Sequence, residues 1–267
     1  MRSDPSGPSS GVQTFGIAVA TALALVAATA TSACTLGPQY TADRSISEAI
    51  ALGDEPVLVI DSILPVDFRG ARRRSDIQVD IEATLTASSA ETAEKMAAAL
   101  TLEHSSSDDG STLTLTLAPP AKGFIAGTIV IAAPSDLHVQ IIERGGAVRV
   151  DGLEGELQVD AVSDVQVLNA QNSATIRVAQ GSVWLDALAQ PGSNTQVEVG
   201  VGNVNLALPT TTTLNVALFA QGSEIIIDHP QFPRVLNTGR PYEATVGAAL
   251  AAISLSTQQG AVTIGVR

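Results

Sequence analysis

From residue 121 onward one short pattern recurs. The stretches "GTIVIAAP", "LHVQII", "GAVRVDG", "GELQVDA", "DVQVLNA", "ATIRVAQ", "GSVWLDA", "TQVEVGV", "GNVNLALP" and "LNVALFA" each set two or three apolar residues at alternate positions, then supply Gly, Asp, Asn, Ala or Ser. Alternation with a period of two describes a strand with one face in a core and the other in water. A strand of four or five residues cannot bury enough apolar area by itself, so it has to be stacked on others of its kind. Taking every second run, Val148, Val165 and Val183 stand 17 and 18 residues apart, the length of one turn of a narrow β-solenoid. The alternate positions carry Arg149, Gln158, Gln166, Arg177, Glu198 and Asn205, a polar set suited to an outer face.

These features predict a mainly all-β fold, a single-stranded β-solenoid or β-helix-like stack over residues 121–267. An antiparallel β-sandwich is the alternative, because turns this short do not distinguish parallel from antiparallel pairing. Aromatic residues make up only 3% of the chain, so Val, Leu, Ile and Ala must fill the core. The final stretch, "ATVGAALAAISLSTQQGAVTIGVR", alternates as well and is expected to finish the stack after the irregular "HPQFPRVLNTGRPYE".

Residues 51–120 read as an N-terminal β module with one short helix. "VLVID", "IQVDIEATL" and "LTLTLAP" have strand character, and Ile77, Val79 and Ile81 alternate with Gln78, Asp80 and Glu82. Between them, Ser88 and Glu91 have capping-box spacing ahead of an Ala-rich segment, which predicts a helix over about 89–100. This strand-helix-strand unit could cap one open end of the stack. Asp108, Asp109 and Gly110 predict a tight turn rather than a calcium loop, since no EF-hand spacing surrounds them.

Residues 1–33 read as a signal peptide. "GIAVATALALVAATA" carries no charge and is shorter than the roughly 20 residues a membrane-spanning helix needs. The only cysteine, Cys34, follows at once, so an intramolecular disulfide is excluded and no zinc-ligand spacing exists around it. Thr31, Ser32, Ala33 and Cys34 resemble a bacterial lipobox, with Thr31 standing where Leu is usual. That resemblance implies a diacylglycerol-modified Cys34 as membrane anchor, with Thr35 rather than Asp after it implying sorting to the outer membrane. A plain secretory peptide with a chance cysteine is the other reading. Residues 34–50, polar and containing Gly and Pro, read as a flexible tether.

Two stretches, "GAVRVDGLEGELQVDA" and "GNVNLALPTTTTLNVALFAQGSEIII", resemble the bacterial "putative adhesin" family of repetitive β-solenoid domains of unknown function. The resemblance runs from about Val57 to Ile227 and departs after Asp228. It implies an extracytoplasmic, non-catalytic β protein.

A net charge of −13 and a pI near 4.5 weigh against a nucleic-acid partner, since a polyanion would be repelled. The run Arg72, Arg73, Arg74 reads as a solvated turn. His104, His138 and His229 are too far apart to suggest a metal site. Asp151, Asp160, Asp164 and Asp186 recur near strand ends. Stacking could cluster them for acid/base chemistry, but Asp also favours turns, and that is the simpler account. The glycines of "GVGNVN" precede no helix and so read as turns rather than a phosphate loop. Neither a catalytic residue, a metal nor a cofactor is predicted. Trp184 lies between the inward Val183 and Leu185, and an outward Trp can anchor a partner.

The sequence therefore predicts a lipid-anchored cell-envelope protein with a non-catalytic, adhesin-like β scaffold. Its expected partners are the membrane through Cys34, and surface protein, glycan or another copy through its faces. The alternatives are a carbohydrate-active β-helix enzyme and an envelope-stress signalling partner.

Overall fold

The computed structural model describes residues 39–267 apart from 54–55, 119, 121–122, 188–189 and 211–213, so residues 1–33, read as a signal peptide, and Cys34 lie outside the described residues. Strands β1 (Tyr40–Ala51), β2 (Val57–Ser62), β3 (Val66–Ala71) and β4 (Asp76–Ala87) come before helix α1 (Ala90–Ala99). After the helix come β5 (Thr101–Ser106), β6 (Thr112–Ala118) and β7 (Phe124–Pro134). The repetitive region forms β8 (His138–Glu143), β9 (Val148–Asp151), β10 (Leu157–Ala161), β11 (Val165–Ala170) and β12 (Ala174–Gln180). It continues with β13 (Val183–Ala187), β14 (Asn194–Val201), β15 (Val204–Leu208), β16 (Val216–Gln221) and β17 (Glu224–Ile227). Last come β18 (Val235–Thr238), β19 (Tyr242–Val246), β20 (Ala251–Gln259) and β21 (Ala261–Val266).

These strands build two large mixed sheets, not the expected single-stranded solenoid. One has 11 strands in the order β1-β4-β7-β3-β9-β11-β13-β15-β21-β17-β18, the other 10 in the order β19-β16-β20-β14-β12-β10-β8-β2-β6-β5. Two sheets are what the sandwich alternative foresees, but most pairs are parallel, and antiparallel pairing is confined to the ends, in β1–β4, β4–β7, β5–β6, β16–β19 and β17–β18. Short turns pass successive runs from one sheet to the other. Inward residues of both sheets, such as Val139 and Ile141 on β8 and Val148 and Val150 on β9, join one hydrophobic core. The valine row is real: Val66, Val148, Val165, Val183, Val204 and Val262 are register partners across adjacent strands, and all are buried.

Three further expectations are corrected. Residues 40–50, read as tether, belong to β1, which pairs with β4 along its whole length. Ala42, Ile46 and Ile50, every second inward position, pack one face of β1 against the core, and the charged Arg44 and Glu48 between them mask the period. No boundary falls at residue 120, because β2 lies between β6 and β8, and β3 between β7 and β9. Finally, β20 and β21 do not finish the stack. Each slots between an earlier pair, β20 between β14 and β16 and β21 between β15 and β17, while β18 and β19 form the terminal edges.

The helix forms where expected, with its cap one residue later. Ser89, not Ser88, is the N-cap, its Oγ accepting from Thr92 N at 3.2 Å. Glu91 then sits in the first turn and pairs with Lys95 at 2.6 Å. Ala93, Met96 and Ala97 are the buried face, and the helix packs on β1 and β4.

The corners between sheets explain the Gly, Ser, Asn and Asp of the repeat. Gly181, Gly202 and Gly260 stand at equivalent turns, with Gly181 N donating to Val201 O at 2.8 Å and Gly202 N to Gln259 O at 2.9 Å. A Cβ on Gly202 would lie 1.8 Å from the Gly181 carbonyl oxygen, so the turns stack this closely only without side chains. The residue before each following strand carries a second ladder. Asp164 Oδ1 accepts from Ser182 N (2.7 Å), Ser182 Oγ from Asn203 N (3.3 Å), and Asn203 Oδ1 from Ala261 N (2.9 Å).

Candidate binding faces

Because strand residues alternate, every rung places one or two side chains on an outer face, and parallel register aligns them into rows about 4.8 Å apart. On the 11-stranded sheet one row runs Asp67, Arg149, Gln166, Trp184, Asn205, Thr263 across β3, β9, β11, β13, β15 and β21. Arg149 organises it. Its Nη1 donates to Gln166 Oε1 at 3.1 Å, and its guanidinium lies 3.6 Å from Asp151 and 3.9 Å from Asp67. Asp67 also receives Arg69 Nη2 at 2.5 Å. Hydrogen bonding to Asp67, followed by its charge, raises the Arg69 pKa above its ordinary value.

Beside this row lies an open groove of about 450 Å³ lined by Pro65, Asp67, Thr128, Arg149, Gln166 and Trp184, among others. Trp184 is 44% exposed. The sequence expectation that its side chain points outward is what the structure places. The groove thus offers an aromatic plane at one end and a guanidinium with carboxylate and amide groups along its floor. Such a set can stack on a flat apolar surface while hydrogen bonding its rim.

The 10-stranded sheet carries a different row. Arg177 on β12 lies between Asp160 on β10 (3.7 Å) and Glu198 on β14 (3.5 Å). Gln158 donates to Asp160 at 3.1 Å and Gln196 to Glu198 at 2.7 Å. A shallow depression of about 520 Å³ is lined by Asp160, Arg177 and Glu198 together with Ser256, Gln258 and Glu143. Arg177 fills the space between the two carboxylates, so each already has a cationic partner.

Glu143 is the residue sequence reasoning missed. It sits at an inward position at the end of β8 and is buried. Its Oε1 accepts the N–H groups of Gly145 and Gly146, while Oε2 has no hydrogen-bond partner. Burial pushes its carboxyl up, opposed by those backbone donors. The signal was present: in "HVQIIERGG" a glutamate occupies the parity of Val139 and Ile141 just before two glycines.

The other candidate acids serve structure. Asp151 accepts from Asn169 Nδ2 at 2.9 Å and faces Arg149. Asp164 belongs to the corner ladder. Asp186 pairs with Arg267 at 3.0 Å. Asp109 forms the expected turn, where hydrogen bonds from Ser107 and Ser111 hold its carboxyl down to about 2. The arginine run is a turn as well, Arg72 pairing with Glu154 and Arg74 with Asp76 at 2.9 Å. The histidines stay apart. His104 meets Glu48 at 3.2 Å and His138 meets Glu156 at 3.6 Å, while His229 is buried edge-on to Phe232. Among the described residues no group of His, Cys, Asp and Glu could hold a metal ion, and no helix is long and apolar enough to cross a membrane.

Fold and faces together define a mainly β protein of two large mixed sheets with polar, ladder-like outer surfaces. No protein-family model and no curated protein matches the chain. Among solved structures it is similar to a "putative cell adhesion protein" from Clostridium sporogenes, at 10% identity and a TM-score of 0.47, over 85% of this chain and 100% of that one. It is also similar to a "putative adhesin" from Bacteroides fragilis (12% identity, TM-score 0.33, 84% of this chain and 97% of that one). A third, a "putative adhesin" from Parabacteroides distasonis, gives 12% identity and a TM-score of 0.30 over the same shares.

Proposed function

We propose that this chain is a lipid-anchored cell-envelope protein whose two-sheet domain is a non-catalytic, adhesin-like binding scaffold, with the Trp184 face as its contact surface. The observation that carries the reading is the register-aligned row from Asp67 through Arg149 and Gln166 to Trp184. A row spread over adjacent strands is held rigid by the sheet beneath it, so it presents polar and aromatic groups to a partner at little ordering cost. The carboxylates support the same reading: Asp151, Asp160, Asp164 and Asp186 are each engaged by an arginine, an amide or a turn N–H. The anchor rests on the lipobox-like context of Cys34.

Two measurements test this. Cells displaying the full chain are applied to arrays of surface glycans and extracellular proteins. Selective binding that Trp184→Ala reduces at least about tenfold is expected, the loss typical of an aromatic anchor. Binding that ignores Trp184, or soluble sugar released from a polysaccharide by the purified chain, overturns the scaffold reading in favour of another surface or the carbohydrate-active enzyme. Clickable palmitate label is expected on the wild type and absent from Cys34→Ala; an unlabelled wild type removes the anchor.

A further inference from the structure

Of the four sheet edges among the described residues, three are short. β18 has 4 residues, β19 has 5 and β5 has 6, whereas β1 has 12. Exposed edges of such length are templates for pairing, and proteins usually blunt them with Pro, Lys, a bulge or brevity. The segment YTADRSISEAIA has no Pro, Gly or Lys, and its register with β4 is unbroken from Tyr40↔Ala87 to Ala51↔Asp76. Among the described residues, pairing with β4 uses only one side of β1, the strand that ends the sheet.

We propose that this edge is a homodimer interface, in which β1 pairs antiparallel with β1 of a second copy about a two-fold axis at Ile46. The occupant is named by the strand's own complementarity. With Ile46 opposite Ile46 of the partner copy, Arg44 falls opposite Glu48 twice, Ala42 opposite Ile50, and Ser45 opposite Ser47. Opposite residues in an antiparallel pair share a face, so the inward Ala42, Ile46 and Ile50 continue one apolar layer across the dyad.

Neighbouring registers are worse. Sliding by one step either way sets Arg44 opposite Ile46 or Ile50, and sliding by two sets Arg44 opposite Arg44 or Glu48 opposite Glu48. Like charges directly opposite one another destabilise a pair. Among the described residues, Arg44 Nε is buried without a hydrogen-bond partner and Glu48 forms its one ion pair with the half-exposed His104, so both charges are poised for a better partner. The isologous geometry closes, which limits the assembly to two copies.

The test is the mass of the full chain by sedimentation equilibrium in density-matched detergent, with circular dichroism as the folding control. A dimer is expected for the wild type. Arg44→Glu places like charges at both pair sites and should weaken the dimer at least about tenfold. The double exchange Arg44→Glu with Glu48→Arg should restore it. A monomeric wild type, a dimer indifferent to Arg44→Glu, or a folded double variant that stays monomeric each overturns the proposal. Trp184→Ala should leave the mass unchanged, so failure here is separate from failure of the binding-face reading.

Discussion

Arg267 Nε lies 3.0 Å from Asp186 Oδ2, joining the segment just after β21 to β13, two strands away in the same sheet. The same guanidinium also donates to Asn169 Oδ1, and Arg267 N donates to Leu208 O at 2.9 Å. Together these contacts fasten the strand that enters the sheet late in sequence between two strands that precede it.

Removing that clamp should therefore be felt mainly at β20 and β21. Arg267→Ala is expected to cost about 1–2 kcal/mol at neutral pH, because a partly buried carboxylate loses its cation. Burial already raises the Asp186 pKa, with Arg267 opposing the rise, so the variant's pKa climbs further. An acid favoured in its protonated form by the fold destabilises it only when ionised, so the deficit should shrink as pH falls into the carboxylate range. Denaturant titrations at pH 7 and pH 4 check this. Hydrogen exchange should accelerate in β20 and β21 first.

Glu143 gives a pH dependence of the same sign. Its folded-state carboxyl titrates above its unfolded value because it is buried. Relative stability is thus highest below the unfolded pKa and is lost as pH rises through the folded one. Glu143→Gln keeps an acceptor for Gly145 and Gly146 but cannot ionise. The melting temperature of the wild type should fall relative to the variant as pH rises from about 4 to 8; parallel curves would show that Glu143 is not the titrating group.

At the stacked corners the smallest change should be among the most damaging. Gly202→Ala drives a Cβ to 1.8 Å from the Gly181 carbonyl oxygen, and backbone has to move. A loss of about 3 kcal/mol is expected. Gly192, whose Cβ would meet nothing within 4 Å, is the comparison for space. Its φ of +87° leaves only backbone strain, so Gly192→Ala should cost about 1 kcal/mol.

The corner side chains should behave as hydrogen-bond links rather than catalytic groups. Asn203→Ala removes the acceptor for Ala261 N and should cost about 1 kcal/mol. Asn203→Asp, which keeps that oxygen, should cost less. Thermal melts of the three proteins decide the order.

Much of the fold could be read from alternation. The valines 148, 165 and 183 are neighbours in one row, Trp184 points outward, and the helix cap lies one residue from the predicted one. Less legible was β1, whose inward positions include Arg44 and Glu48, so its apolar period is broken by charges. Glu143 escaped notice for a similar reason: a charge at a core parity makes sense only once the Gly145–Gly146 turn is seen to close over it. The aspartates at strand ends looked alike in sequence, yet Asp164 bonds a turn N–H and Asp160 meets an arginine. Which of these occurs depends on the neighbouring rung.

Outside β1 and β18, the sequence by itself determined that the chain makes strands, which residues of each face inward, and where the turns fall, because these follow from a period of two and from the conformational needs of Gly, Asn, Ser and Asp. Only the tertiary structure decided how the strands are ordered. Two sheets share one core, and β20 and β21 enter between strands made earlier. Pairing is set by backbone hydrogen bonds that any strand can offer to any other, and the choice falls to whichever arrangement closes the core and stacks the corners.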